Sequence, residues 1–171
     1  MNTTAVSSLA VKTAIDTYVP AYINNDYLAL SDLSEGKGLD IILEALVAGD
    51  VQVRDYFLGL PNQYGIGGVA QAVFNLVLLL PAGQKRSLNS VLAFFSYEAG
   101  DTENAVRLVE RCFAEDDEYN LAKLIKRVIQ AGWAPEVLQE ARNDCHAKVA
   151  EILEHDYPIL DELKEKLSNG Y

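Results

Sequence analysis

The sequence predicts an all-α protein, and three observations support that class. Apolar residues recur at intervals of three and four along nearly the whole chain, which is the spacing of one helix face. No stretch alternates apolar and polar residues in the manner of a strand. Glycine and proline stand between the periodic stretches, where helices end or begin. We therefore expect residues 1–171 to form one compact helical domain of about seven to eight helices.

The N-terminal part of the chain, residues 1–38, is predicted to hold one helix and one loop. An apolar stripe covers residues 5–19, and Pro20 is expected to stop or kink that helix because proline removes a backbone hydrogen bond. Residues 24–38 are rich in Asn, Asp, Ser and Gly, which are typical of turns. This segment is therefore expected to be a loop with at most one short helical turn.

The next part, residues 39–81, is predicted to supply helices that cap the rest of the domain. The first covers 39–48 and ends at a glycine. Asp50 follows, and its side chain is expected to accept an amide hydrogen at the start of a second helix over 51–58. A loop is expected over 61–65.

The apolar run 67–80 is the longest in the chain, with Gln71 and Asn75 as its polar interruptions and Pro81 after it. A membrane-spanning helix needs about 20 apolar residues, so this run is too short to span a bilayer. We interpret it as a buried core helix.

Residues 87–155 are predicted to form two repeat-like antiparallel hairpins. Gly100 and Gly132 stand 32 residues apart, each between two amphipathic helices. That period is close to the ~34 residues of the tetratricopeptide hairpin, and residues 97–105 resemble the turn of that repeat. Two units are too few for a free-standing solenoid, because each unit needs neighbours to bury its face. The helices of 39–81 are therefore expected to cover them.

The helices of this region begin at recognisable residues. Asp101 is expected to cap the second of them. The acidic run 115–118 is interpreted as a turn that gives the helix 118–131 a negative N-terminus, where anions are favoured. A proline at its first position starts a long helix over 135–155. A final helix is expected over 159–167.

The chain is acidic, with 14 Lys and Arg against 25 Asp and Glu and a net charge of -11. Such a chain is a poor candidate for direct binding to nucleic-acid phosphate or to an anionic membrane. Its first residues lack the basic and apolar regions of a signal peptide. Cys112 and Cys145 are isolated, which favours free thiols, and Cys112 is expected to pack as a small apolar residue. We therefore expect a cytoplasmic protein.

A set of spaced residues in the middle of the chain resembles a known family. The set is Val53-Arg54-Asp55, Leu92-Ala93-Phe94, Tyr97, Gly100-Asp101, Ala105, Asp117, Tyr119, Leu121-Ala122, Leu124, Gly132 and Pro135. It is similar to the C-terminal helical half of the actinobacterial domain-of-unknown-function family numbered four-one-nine-two, over residues 47–136. Full-length members carry a further domain ahead of this half. The resemblance implies a helical fold, no assigned activity, and a short version of the kind expected in actinobacteria or their phages.

No pattern in the chain identifies a catalytic, cofactor or metal site, and we predict none. Residues 65–68 are glycine-rich but lack the lysine and hydroxyl of a phosphate loop. Cys145, His146, Glu151 and His155 carry metal-ligating groups, but the first two are rotated off the helix face that the last two share. We therefore expect surface histidines, no cofactor and no enzymatic activity.

Three tyrosines, Tyr18, Tyr22 and Tyr27, are the candidate partner-binding residues. Tyrosine provides a large contact area at low entropic cost. The first two are four residues apart, so they share a helical face if Pro20 only kinks the helix. Two interpretations remain open: an exposed surface for a partner, or packing beneath the segment 24–38.

The predicted function is a non-enzymatic helical module that binds a protein partner of unknown identity. The alternative is an acidic mimic of nucleic acid that inhibits a nucleic-acid-binding host protein, which the net charge of -11 motivates. That alternative requires a continuous stripe of carboxylates at roughly phosphate spacing. A third hypothesis, a small-molecule hydrolase, requires a deep pocket with convergent polar groups.

Overall fold

Helices make up most of residues 6–160, the part of the chain that the computed structural model describes. They are α1 (Ser8–Ile23), α2 (Tyr27–Glu35), α3 (Gly38–Val47), α4 (Val51–Gly59), α5 (Pro61–Tyr64), α6 (Ile66–Leu79), α7 (Arg86–Glu98), α8 (Thr102–Glu115), α9 (Asn120–Ala131) and α10 (Pro135–Glu154). The predicted all-α class is confirmed. Two strands, β1 (Val6–Ser7) and β2 (Pro158–Ile159), pair antiparallel. No strand was expected, because two residues are too few to show an alternating pattern.

One hydrophobic core joins α1, α3, α4 and α6 to α7, α8, α9 and α10. Its largest fully buried side chains are Tyr18, Phe57, Ile15, Ile42, Leu60, Leu76, Leu88, Ile125 and Leu153. Because these residues come from both halves of the chain, the helices of 39–81 and those of 87–155 share a single apolar interior.

α1 continues through Pro20, so the expectation that a helix over 5–19 stops at this proline was wrong. The proline lies in the last turn, so the backbone hydrogen bond it removes is one close to the helix end. Tyr18, Val19 and Ala21 are buried on either side of it. Their packing stabilises the final turn in spite of the missing bond.

The segment 24–38 contains the nine-residue helix α2, so the predicted loop was wrong. Asp26 caps this helix, and its Oδ1 accepts the amide hydrogen of Ala29 at 3.1 Å. Leu30 and Leu33 pack against the core from α2. Turn-forming residues at both ends obscured the helix, since Asp is favoured both in turns and at helix starts.

α3 and α4 confirm the helices predicted over 39–48 and 51–58. Asp50 caps α4 as expected, with Oδ1 accepting the amide hydrogen of Val53 at 2.9 Å. The expected loop 61–65 instead contains the single turn α5, which begins at a proline and ends before Gly65, whose φ is +81°.

The corner between α7 and α8 matches the prediction. Gly100 has a φ of +86°, a conformation that glycine adopts without strain. Asp101 Oδ1 accepts the amide hydrogen of Asn104 at 3.0 Å and so caps α8. Ala105 is fully buried at this corner, and α7 and α8 pack closely along their length.

The second predicted hairpin has correct boundaries but a different packing partner. Gly132, with a φ of +65°, ends α9, and Pro135 begins α10. α10 then packs mainly against α4, with further contacts to α1 and α7, rather than along α9. Hydrophobic periodicity shows that a helix has an apolar face but not which neighbour covers it.

The acidic run 115–118 ends α8 and forms the predicted turn, but α9 begins at Asn120 rather than at residue 118, so these carboxylates precede its first turn. Tyr119 is the N-cap residue, and the helix begins after it. The carboxylate of Glu118 pairs instead with Lys123 Nζ at 2.7 Å.

A buried ion pair holds α10 in place. The guanidinium of Arg142 donates two hydrogen bonds to the carboxylate of Glu98 on α7, at 2.7 and 2.9 Å. A third bond reaches Asn62 Oδ1 on α5 at 2.6 Å. Because its partners lie on α5 and α7, this arginine connects three helices. Removing one member of such a pair would leave an uncompensated charge in the interior.

The chain beyond α10 is attached to the start of α1. Ser8 Oγ donates a hydrogen bond to the Leu153 carbonyl at 2.8 Å and accepts one from the Tyr157 amide at 2.9 Å. The helix predicted over 159–167 begins at a residue of β2. From residue 161 onward that prediction lies outside the described part of the chain.

Candidate functional site

α6 is largely apolar, with Gln71 and Asn75 as its polar side chains, and one of its sides is not covered by any described residue. It contains no charged residue, and its inward face is formed by Val69, Ala72, Val73, Leu76 and Val77. On the opposite side Phe74 is 52% exposed and Leu78 is 63% exposed, with Leu79 exposed beside them. The core helix predicted over 67–80 is confirmed, but only its inward face is buried. A helix this apolar ordinarily has neighbours on every side.

A groove runs along this exposed side of α6, between it and the α7–α8 pair. It encloses a volume of about 460 Å³. Its lining residues come from the end of α1, from α6, and from α7 and α8: Tyr22, Ile66, Gly67, Ala70, Gln71, Phe74, Leu92, Phe95, Ser96, Ala99, Asp101, Asn104, Leu108 and Arg111. We call this feature the α6 groove. Most of its exposed surface is apolar.

The polar groups of the α6 groove are concentrated near the α7–α8 corner. Asn104 Nδ2 donates a hydrogen bond to Ser96 Oγ at 2.9 Å. The carboxylate of Asp101 caps α8 next to them, and Arg111 lines the groove about two turns beyond Asn104 on that helix. The groove thus has an apolar wall on α6 and a mixed polar edge on α8, the arrangement by which grooves in proteins hold amphipathic helices.

The three predicted tyrosines occupy three different environments. Tyr18 is only 2% exposed, so it belongs to the core and its assignment to a partner surface was wrong. Its hydroxyl donates to the Ala72 carbonyl and accepts from Asn75 Nδ2, both at 2.9 Å. Burial raises the pKa of Tyr18 to about 12. This tyrosine anchors α6 to α1.

Tyr22 and Tyr27 both reach the surface, but only Tyr22 lines the α6 groove. The Tyr22 ring is half-buried, with its centroid 5.9 Å from that of Tyr18. Tyr27 is the first residue of α2 and is 76% exposed. The second interpretation, in which these three tyrosines pack beneath residues 24–38, was therefore also wrong.

The sequence predicted burial for Phe74, which lines the α6 groove, and for Leu78, which is exposed one turn further along α6 and does not line the groove. The signal that points to them is the absence of charge over the whole of α6 combined with their spacing of four residues. That signal was assigned to burial, because from sequence alone an uncovered apolar helix cannot be told from a covered one.

A second polar cluster joins α1, α4 and α10. Lys12 Nζ lies 2.8 Å from Asp16 and 3.4 Å from Glu154, and Tyr56 donates a hydrogen bond to Asp16. The hydrogen bond that Lys12 donates to the Asp16 carboxylate raises the pKa of Lys12. Burial, followed by the Asp16 carboxylate, raises the pKa of Tyr56. Both groups therefore keep their protons and act as donors that connect the helices.

His146 is half-buried, so its expected surface position was wrong, whereas His155 is exposed. The His146 ring stacks on Tyr56 at a centroid distance of 5.3 Å and fills the space beside Gly59. Burial lowers the pKa of His146. Within residues 6–160, no group of three or more His, Cys, Asp or Glu side chains is placed to hold a metal ion.

The two thiols differ in their surroundings. Cys112 is fully buried and packs in the core, as expected, and burial raises its pKa to about 12. Its thiol lies 3.5 Å from the Arg86 carbonyl. Cys145 is exposed on α10. Both cysteines are free thiols.

Comparisons of this chain with protein-family models, with curated proteins and with solved structures gave no match. The resemblance noted for residues 47–136 therefore stays a prediction. Between residues 6 and 160, no helix has both the length and the apolar character needed to cross a bilayer.

Proposed function

We propose that this protein is a helical protein-binding module and that the α6 groove receives an amphipathic helix of its partner. The observation that carries the proposal is the uncovered outer face of α6, where Phe74 and Leu78 are more than half exposed. Exposed apolar surface beside a groove is typical of protein-binding sites. Aromatic and aliphatic side chains of this size are the residues that anchor a partner in such sites.

The charge of the chain favours a basic partner. Each copy carries a net charge of -11, so two copies repel each other, whereas a helix with Lys and Arg along its flanks is attracted. The expected partner segment presents apolar residues at positions i, i+3 or i+4 and i+7, facing α6. Its basic flanks are attracted by the net negative charge of the chain.

A displayed library of helical peptides tests this proposal. We expect peptides selected on the wild-type protein to share an apolar stripe with basic flanks, and to lose binding to a Phe74→Glu/Leu78→Glu variant. Both side chains are more than half exposed, so we expect the variant to fold. Val106→Glu is the matched control, since Val106 is exposed on α8 and does not line the groove.

Three outcomes would contradict the proposal. The first is a selection that enriches no peptide above background, and the second is enriched peptides that bind the variant and the wild type equally. The third is a dimer of the wild type, seen by light scattering, that the Phe74→Glu/Leu78→Glu variant abolishes, in which case the groove serves self-association instead.

The acidic nucleic-acid mimic stays the alternative hypothesis, with the net charge as its support. Five of the described carboxylates are already engaged in ion pairs: Asp16, Asp55, Glu98, Glu118 and Glu154. A carboxylate held by a neighbouring cation is less able to replace a phosphate for a partner. The groove therefore supports the first proposal more directly than the charge supports the second.

A further inference from the structure

The α6 groove is lined by one charged residue of each sign, and both belong to its α8 edge. Asp101 is the N-cap residue of α8, and Arg111 lies near the other end of that helix. A helical rise of 1.5 Å per residue separates them by about 15 Å along the axis. Because α6 has no charged residue, this edge alone gives the groove an anionic end, at the Gly100 corner, and a cationic end.

The cationic end of the groove has no counter-ion of its own. Arg111 is exposed, and among the ion pairs of residues 6–160 none includes its guanidinium. A guanidinium has five N–H donors in a planar arrangement that matches a carboxylate. These donors are therefore available to a group that enters the groove.

The neighbours of Arg111 on α8 explain why it is unpaired. Residues four apart on a helix are close enough to form an ion pair, and Glu115 stands at that distance. Its carboxylate instead accepts the amide hydrogen of Lys85, with N–O distances of 2.7 and 3.0 Å. The residue four positions earlier is Arg107, which has the same charge as Arg111. Neither neighbour neutralises the guanidinium.

The anionic end can also accept a partner group without losing its structural role. Asp101 Oδ1 accepts the amide hydrogen of Asn104 and so caps α8. A carboxylate has two oxygens and several acceptor positions, and this one forms no ion pair within residues 6–160. The side chain is exposed. A basic group can therefore approach Asp101 while the cap remains in place.

A helix bound in the groove removes water from both charged groups. Arg111 lies beside the apolar lining residues Phe74, Leu92 and Leu108, so a partner that covers these residues also covers part of the guanidinium. A covered charge that has no opposite charge nearby is unfavourable, and a like charge opposite it is worse. The two ends of the α8 edge therefore discriminate between partner helices by the sign of the side chain that each one meets.

We propose that Arg111 and Asp101 set the register of the partner helix, which carries an acidic residue opposite Arg111 and, about three turns away, a basic residue opposite Asp101. Three turns of helix span about 16 Å, close to the separation of the two groups on α8. This inference rests on the proposed function, since it concerns the same groove. It selects one charge pattern among the basic, amphipathic helices that the groove would otherwise accept.

A charge swap tests the proposal on displayed peptides that bind the wild type and lose binding to Phe74→Glu/Leu78→Glu. We expect these groove-binding peptides to share one acidic position. Arg111→Glu should raise their dissociation constant roughly three- to fivefold, the range of exposed ion pairs. Replacing the shared acidic residue of the peptide by lysine should restore most of the affinity for Arg111→Glu. Arg127→Glu is the matched control, because it changes the net charge equally at an exposed position on α9 outside the groove.

The outcomes separate this inference from the proposed function. The inference is overturned if the groove-binding peptides share no acidic position, if the lysine peptide regains no affinity for Arg111→Glu, or if Arg127→Glu weakens binding as much as Arg111→Glu. In each of these cases peptides still bind at Phe74, so the proposed function stands. A selection that yields no groove-binding peptide contradicts both. Arg111→Gln removes the charge without reversing it, should weaken binding less, and keeps the test valid if Arg111→Glu fails to fold.

Discussion

Two buried polar atoms have no hydrogen-bond partner in the described residues, Ser87 Oγ and His146 Nδ1. Buried polar groups are nearly always paired, so each exception calls for an explanation. Ser87 is buried in the first turn of α7, whereas His146 is confined between Tyr56 and Gly59. The two residues therefore lead to different predictions.

For His146, we predict a stability loss at acidic pH that a substitution removes. Burial and the cations of Lys12 and Arg142 lower its pKa in the folded protein, against an opposing effect of Asp16. The unfolded chain thus binds a proton near the ordinary histidine pKa of 6.5 while the folded chain does not, so stability falls as the pH drops below that value. Urea titrations at several pH values should show a smaller fall for His146→Gln than for the wild type.

His155→Gln is the control for this measurement, because His155 is exposed at the end of α10. Its stability should depend on pH as in the wild type. If the free energy of unfolding falls with pH equally steeply in the wild type and in His146→Gln below about pH 6.5, the histidine is not held neutral by its surroundings.

For Ser87, we predict that Ser87→Ala leaves the free energy of unfolding of the protein unchanged or raises it by up to about 1 kcal/mol, since it removes an unpaired buried hydroxyl. Ser90→Ala is the matched comparison on the same helix, because the Ser90 hydroxyl donates to the Ser87 carbonyl at 2.6 Å. We expect that change to cost about 1 kcal/mol. A larger loss in Ser87→Ala than in Ser90→Ala, measured by chemical unfolding, would show that the Ser87 hydroxyl is paired after all.

At the scale of the elements, the contact between α4 and α10 depends on a glycine. A Cβ atom at Gly59 would lie 1.9 Å from His146 Nδ1, whereas a Cβ atom at Gly67 would meet nothing within 4 Å. Alanine is ordinarily better than glycine in a helix by about 1 kcal/mol. We therefore predict that Gly59→Ala destabilises the protein while Gly67→Ala is neutral or stabilising.

Thermal unfolding of the two variants checks this prediction. In a His146→Ala background the cost of Gly59→Ala should shrink, because the side chain that blocks the added methyl group is gone. If Gly59→Ala lowers the unfolding temperature as much in the His146→Ala background as in the wild type, the added methyl group clashes with a group other than His146.

The helices that the sequence predicted correctly are those whose ends have local causes. Gly100 and Asp101 mark a corner through backbone conformation and capping, and both effects involve only neighbouring residues. The pairing of α10 with α4 has no local signal, since it depends on which of several apolar faces fit together. The continuation of α1 through Pro20 has the same origin, because burial there outweighs the local preference.

At the scale of the whole molecule, the functional proposal depends on surface that only the assembled fold reveals. Of the three predicted tyrosines, the structure places Tyr22 in the α6 groove and Tyr18 in the core. The apolar composition of α6 was evident in the sequence, but the exposure of Phe74 and Leu78 follows from how the other helices are arranged. The net charge of -11 belongs to the whole chain, and like charge of this size opposes the association of two copies.

The most direct test of the docking proposal is the dissociation constant of one basic, amphipathic helical peptide, measured by fluorescence anisotropy with Phe74→Glu and with Val106→Glu. Loss of an anchoring aromatic residue in a protein-binding groove costs about 2 kcal/mol or more. We therefore predict a dissociation constant about 30-fold higher for Phe74→Glu than for Val106→Glu. Equal dissociation constants for the two variants would contradict the assignment of the α6 groove as the docking site.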